Sequence, residues 1–133
     1  MDSEYSMGYQ LTMELLREQK QFTAIAGQND MMAIGAIDAL EKSRIRVPKD
    51  VSVIGCDDIF YSSIRRLSLT TIDHFVALKG RDACDIIIRK ITTNDQFYTG
   101  LQPTSLYNIE YTPKLIARKT KKKKKTSGIS KPV

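Results

Sequence analysis

Long apolar runs, cysteine and histidine are all scarce in these 133 residues, and each scarcity removes a class of function. The longest apolar run, Met31–Ile37, is far short of the roughly 20 residues that a membrane-spanning helix needs. No membrane association is therefore expected. The opening residues Met1–Ser6 are acidic and polar, with neither the basic nor the apolar stretch of a secretory signal, so the expected location is cytoplasmic. Two cysteines, Cys56 and Cys84, make no disulfide framework and lack metal-ligand spacing. They read as small buried hydrophobes. A single histidine, His74, excludes a His-rich metal site. Neither a metal nor a cofactor is expected.

Acid is missing from the end of the chain. After Pro113 come nine basic residues and no acid, whereas residues 1–113 carry the other 12 bases against all 15 acids, a net of −3. The overall charge of +6 and the pI near 9.4 thus belong to the tail. A basic-surface argument for nucleic-acid binding fails for the body of the chain. The run Lys121–Lys125 reads as a solvated tail. Its alternative is sequence-indifferent, salt-sensitive association with nucleic acid.

What remains is an ordinary globular composition, 41% hydrophobic and 27% charged, of a length that suits one domain. Tyr9, Met13 and Leu16 fall at helical spacing, flanked by Leu11 and Leu15, which predicts an amphipathic helix over 8–19. Residues 22–26 predict a strand. Asn29 or Asp30 then caps a helix over 31–43. That helix is apolar on two sides and needs two coverings, one a sheet and the other open to a partner subunit. Val47 is expected to be extended because Pro48 follows it. The run 51–55, VSVIG, suits a parallel strand covered on both faces. Strand 22–26, helix 31–43 and strand 51–55 make a βαβ unit. A third strand follows at 69–72, then a helix over 78–91, a half-buried strand over 106–111 and a short strand at 115–117. From Lys119 onward nothing can bury area, so residues 119–133 are expected to be a disordered basic tail. The fold class is α/β, a parallel sheet flanked by helices.

In open parallel sheets ligands bind beyond the carboxyl ends of the strands. Three strands here end in polar groups: Gln28, Asn29 and Asp30; Asp57 and Asp58; Asp73 and His74. Convergent carboxylates and an amide, without a nucleophile–base pair, suit a polyhydroxylated ligand, because a carboxylate accepts from two hydroxyls and an asparagine both donates and accepts. The bland alternatives are a helix cap for Asn29 or Asp30, solvated loop carboxylates for Asp57 and Asp58, and a polar filler for His74. Adjacent aspartates after a strand also occur in phospho-acceptor receivers, but the lysine those need does not follow any strand here.

The runs FTAIAGQNDMMAIGAIDAL, RVPKDVSVIGCDD, LSLTTID and TPKLIARKT occur in an order and spacing that resemble the effector-binding region of LacI/GalR-family transcriptional regulators, over roughly residues 7–120. The resemblance implies a partial lobe of the type I periplasmic-binding-protein-like fold, occupying residues 1–118, with the helix-turn-helix and most of the N-terminal lobe outside the chain. It implies that Asn29 and Asp57 contact a sugar or nucleotide-like effector, and that His74, beside Asp73, stands at a polar contact position. It also implies a homodimer in which Met31, Met32, Tyr61, Ile64 and Leu67 lie at the interface. Cys56 replaces the family's usual aromatic residue. Operator DNA would be bound only through the absent N-terminal part, and the function implied is that of a repressor rather than an enzyme. A sugar-binding receptor of the same fold, without DNA binding, is the alternative. By the same analogy helix 78–91 lacks its usual sheet, and rearranged packing or self-association is expected of it.

Overall fold

The structure is a computed structural model that describes residues 3–92 and 109–122. Its elements follow in the order α1 (Ser3–Arg17), β1 (Ala24–Ala26), α2 (Asp30–Lys42), β2 (Ser52–Cys56), α3 (Phe60–Ser63), β3 (Thr70–Asp73), α4 (Val76–Thr92) and β4 (Lys114–Ile116). The strands form one sheet in the order β1-β2-β3-β4. The first three are parallel, with Ile25 opposite Val53 and Gly55 opposite Thr71, and β4 closes the edge antiparallel, Leu115 opposite Ile72. The expected α/β class and the βαβ unit are both present.

The core lies between α2 and the sheet. Ala33, Ile37 and Leu40 of α2 meet Val51, Val53 and Leu69, with Leu16, Phe22, Ile25 and Ile45 packed at the margin. α2 begins where it does because Asn29 is its cap: the side-chain oxygen accepts the amide of Met32 at 2.9 Å. α1 lies against α2 at backbone contact. A β-carbon on Gly8 would stand 2.1 Å from the Met32 carbonyl oxygen, and one on Gly35 2.1 Å from that of Tyr5. Two glycines facing across the crossing let the helices approach this closely. The second apolar side of α2 is thus covered by α1 of the same chain. Tyr5 adds a hydroxyl bond to Asp38, and the Lys42 ammonium sits over the Tyr9 ring.

Several expectations differ from the structure, each for a physical reason. Among the described residues β2 is well covered on one face only: Val53 and Gly55 are buried, whereas Ser52, Ile54 and Cys56 on the opposite face are half-exposed. Cys84 is exposed on α4 and Cys56 half-buried, so neither is a core residue. Ile109–Tyr111 form no strand, and Leu106–Asn108 lie outside the described residues. Residues 119–122 are not loose: Thr120 is buried and bonds β2 and β3 together, as detailed below. The remainder of the lysine-rich segment, 123–133, lies outside the described residues.

α4 has no buried residue. Val76, Ile87, Ile88 and Ile91 stand open, Ile91 at 74% exposure, and the helix is tied to the rest by polar contacts such as that of the Tyr111 hydroxyl with Asp82, at 2.6 Å.

The 46–50 turn is closed by a two-pronged ion pair, Arg46 Nε and Nη2 each 2.7 Å from the Asp50 carboxylate, with the Arg46 amide also donating to it at 2.9 Å. These bonds hold the Asp50 carboxyl well below the usual carboxylate range. A group depressed on folding contributes stability that is full above its unfolded pKa, about 4, and is lost as pH falls toward the folded value. The urea midpoint is therefore expected to fall on acidification below about pH 4. Asp50→Asn is expected to flatten that part of the profile, and an unchanged acid slope would exclude the pair as its source.

Candidate functional site at the strand ends

Because β1, β2 and β3 run in parallel, their carboxyl ends share one rim of the sheet. At the end of β2 the chain turns through two successive residues with positive φ, Asp57 at 107° and Asp58 at 50°. The Asp57 amide still continues the ladder to the Ile72 carbonyl, at 2.9 Å. The Asp57 side chain accepts from, or shares a proton with, His74 beyond the end of β3: Oδ1 and Nε2 are 2.7 Å apart. The other ring nitrogen of His74 lies 3.4 Å from the Lys79 ammonium on α4. Cys56 sits beside this pair, and burial, followed by the nearby Asp57 and Asp30 carboxylates, pushes its thiol pKa up.

The other polar residues of the rim are engaged in building it. Asn29 spends its side-chain oxygen on the α2 cap. Asp73 accepts the Phe75 amide at 2.7 Å, which stabilises the turn between β3 and α4. Asp58 pairs with Arg118 at 2.7 Å, both side chains largely buried.

Asp30 is the other residue that the sequence offered as a cap. It is not the cap. It is 0% exposed and accepts three hydrogen bonds: from the Ile59 amide at 2.9 Å, the Ser62 hydroxyl at 2.5 Å and the Thr71 hydroxyl at 2.5 Å. One carboxylate thereby fastens α2, the loop after β2 and the start of β3. Gly55 leaves it room, since a β-carbon there would stand 2.1 Å from Asp30 Oδ1.

The C-terminal segment supplies the second unforeseen support. Arg118 donates to the Leu69 carbonyl at 2.9 Å as well as to Asp58. The Thr120 hydroxyl donates to the Val53 carbonyl at 2.7 Å and accepts the Thr70 amide at 2.8 Å, while the Thr120 carbonyl accepts the Val53 amide at 2.7 Å. Arg118 stands in the run TPKLIARKT, which carried the family resemblance, but no spacing rule marks it as the partner of Asp58.

Of the residues assigned to an interface, Tyr61 and Ile64 are exposed and form with Phe60, 79% exposed, an apolar patch around α3. Met31, Met32 and Leu67 are half-buried.

Three parallel strands with helices against them and a polar rim beyond their ends put the chain in the α/β class, in which ligands bind at such rims. The profile of the periplasmic binding protein-like domain matches residues 2–120. The chain belongs to that family, and it is similar to LacI-family transcriptional regulators. It is 43% identical over 115 residues to the HTH-type transcriptional repressor PurR of Haemophilus influenzae, covering 86% of this chain and 33% of that protein. It is 34% identical over 118 residues to the ribose operon repressor of Escherichia coli, covering 88% of this chain and 33% of the repressor. Among solved structures, a LacI-family transcriptional regulatory protein from Corynebacterium glutamicum superposes with a TM-score of 0.72 at 34% identity, covering 88% of this chain and 42% of that one. The Lac repressor bound to ONPG superposes with a TM-score of 0.68 at 33% identity, covering 87% and 33%. The chain thus spans about a third of the length of the curated repressors it matches. Among the described residues no helix is long and apolar enough to cross a membrane.

Proposed function

We propose that this chain is the effector-sensing and dimerising part of a ligand-responsive transcriptional repressor, with operator DNA bound by a region outside it. The observation that carries the reading is the Asp57–His74 pair, 2.7 Å apart on the rim where this fold takes its ligands. Asn29 and Asp73 stand at the neighbouring strand ends. The acceptor-rich rim suits the hydroxyls of a sugar or nucleotide-like effector. The relatives' names, a ribose operon repressor and a Lac repressor bound to ONPG, accord with such ligands. An effector acts by binding one lobe arrangement better than the other. The reading is non-enzymatic: the Cys56 thiol is pushed toward its protonated form, the opposite of an activated nucleophile.

With one wall of the cleft in hand, binding to this chain is expected to be weak. D-ribose or a ribonucleoside at millimolar concentration is expected to shift the amide resonances of Asn29, Asp57 and His74, and Asp57→Ala to abolish the shifts. Shifts confined to other surfaces, or micromolar binding that survives Asp57→Ala, would overturn the assignment.

The proposed dimer uses the exposed apolar residues Tyr61 and Ile64, together with Leu67, Met31 and Met32. Light scattering is expected to give twice the 15.1 kDa chain mass at high concentration. The double substitution Tyr61→Asp, Ile64→Asp is expected to return the monomer. A dimer indifferent to that change would move the interface elsewhere.

A further inference from the structure

Sequence spacing offers no metal site, yet the pairing of β2 with β3 creates a cluster with the right chemistry. Cys56 faces Ile72 in the register, so the ends of the two strands bring Cys56, Asp57 and His74 to one corner of the rim. Their ligand atoms, a thiol sulfur, a carboxylate oxygen and an imidazole nitrogen, all lie within 4.8 Å of one another. We propose that this corner binds a borderline-soft divalent cation of the zinc class through Cys56, Asp57 and His74.

The donor set selects the cation. Sulfur and imidazole nitrogen favour zinc and its late first-row neighbours, whereas magnesium and calcium require several oxygens and would find a single carboxylate here. Three protein ligands leave a fourth tetrahedral position for water or for an oxygen of a bound molecule. All three side chains are half-buried, so they are held by the strand ends yet reachable from solvent.

The existing contact is close to a coordinating arrangement. Two ligands about 2.0–2.1 Å from a tetrahedral ion stand about 3.3 Å apart. The Asp57–His74 separation of 2.7 Å therefore has to open by about 0.6 Å, within the reach of a side-chain torsion. The hydrogen bond between them is exchanged for two bonds to the ion, and Lys79, exposed at the outer nitrogen of the ring, has space to withdraw. On binding, a metal–sulfur bond forms and the thiol proton passes to solvent; the proton held between His74 Nε2 and Asp57 moves to the other ring nitrogen or to solvent, which frees one lone pair on each group for the ion.

The cation site shares two residues with the proposed effector rim but does not depend on it, because it requires no effector. Cobalt(II) is the probe, titrated into the reduced full chain without any sugar or nucleoside. One equivalent is expected to produce a thiolate-to-cobalt charge-transfer band that zinc then bleaches by competition. Cys56→Ser is expected to remove that band, and His74→Gln to weaken uptake by at least about tenfold. Cys84→Ser, on the exposed face of α4, is expected to leave both the band and the affinity unchanged, and circular dichroism checks that each variant is folded. Absence of the band at stoichiometric cobalt, or a band lost with Cys84 rather than Cys56, would overturn the proposal. The effector titration would stand in either case.

Discussion

Asp30→Ala is expected to destabilise the fold by about 3–5 kcal/mol, from three buried donors left without an acceptor at about 1–2 kcal/mol each. Three donors lose their acceptor at once: the Ile59 amide, the Ser62 hydroxyl and the Thr71 hydroxyl. Two of these side chains are fully buried, so water does not readily replace the carboxylate. The loop carrying Asp57 and Asp58 hangs from this anchor through Ile59. Urea denaturation read by fluorescence of the tyrosines and by far-ultraviolet dichroism checks the loss. A drop below about 1 kcal/mol would show that the network relaxes around the gap or that water fills it. Gly55→Ala approaches the same anchor from below, because the added methyl group would occupy the place of Oδ1. It is expected to destabilise while leaving every donor and acceptor in place.

Ending the chain after Ala117 is expected to be at least as severe, on the order of 4–8 kcal/mol, from four buried or half-buried side-chain pairings worth about 1–2 kcal/mol each. Arg118 leaves Asp58 and the Leu69 carbonyl, and Thr120 leaves the Val53 carbonyl and the Thr70 amide. Such a loss is comparable to the whole stability of a small domain. The truncated chain is therefore expected to show no cooperative urea transition, or one displaced far toward zero denaturant. A chain ended after Lys122 is the reference. Equal midpoints for the two would show that the stitching of residues 118–122 contributes nothing.

Much of this architecture is readable from residue pattern. The apolar run at Val51–Gly55, the Asn29-Asp30 pair ahead of an alanine- and methionine-rich stretch, and the polar residues after each strand locate the βαβ unit and its rim, since periodicity and capping are local properties. What escapes is non-local. Capping preference cannot separate two adjacent polar residues, so nothing in the sequence says that Asn29 caps while Asp30 turns inward to Ser62 and Thr71. The hydropathy of β2 says what both its faces tolerate, not that a helix lies on only one of them. Alternation at Tyr107, Ile109 and Tyr111 suggests a strand, but the edge of β3 is taken by Lys114–Ile116. Composition also misjudges Lys119–Lys122, because main-chain groups and one threonine hydroxyl join a sheet without burying any apolar side chain. The grouping of Cys56 with His74 is likewise a product of strand register, invisible to any ligand-spacing rule.

The hydrogen bonds made by Arg118, Thr120 and Lys122 reach back across 48 to 72 positions. Closing loops of that size costs more entropy than forming a helix or a hairpin, which favours docking of this segment after the local elements. Until that segment arrives, a nascent β2–β3 pair carries an orphaned carbonyl at Val53 and an orphaned amide at Thr70, and it is in this interval that the polypeptide is most open to mispairing with a neighbour.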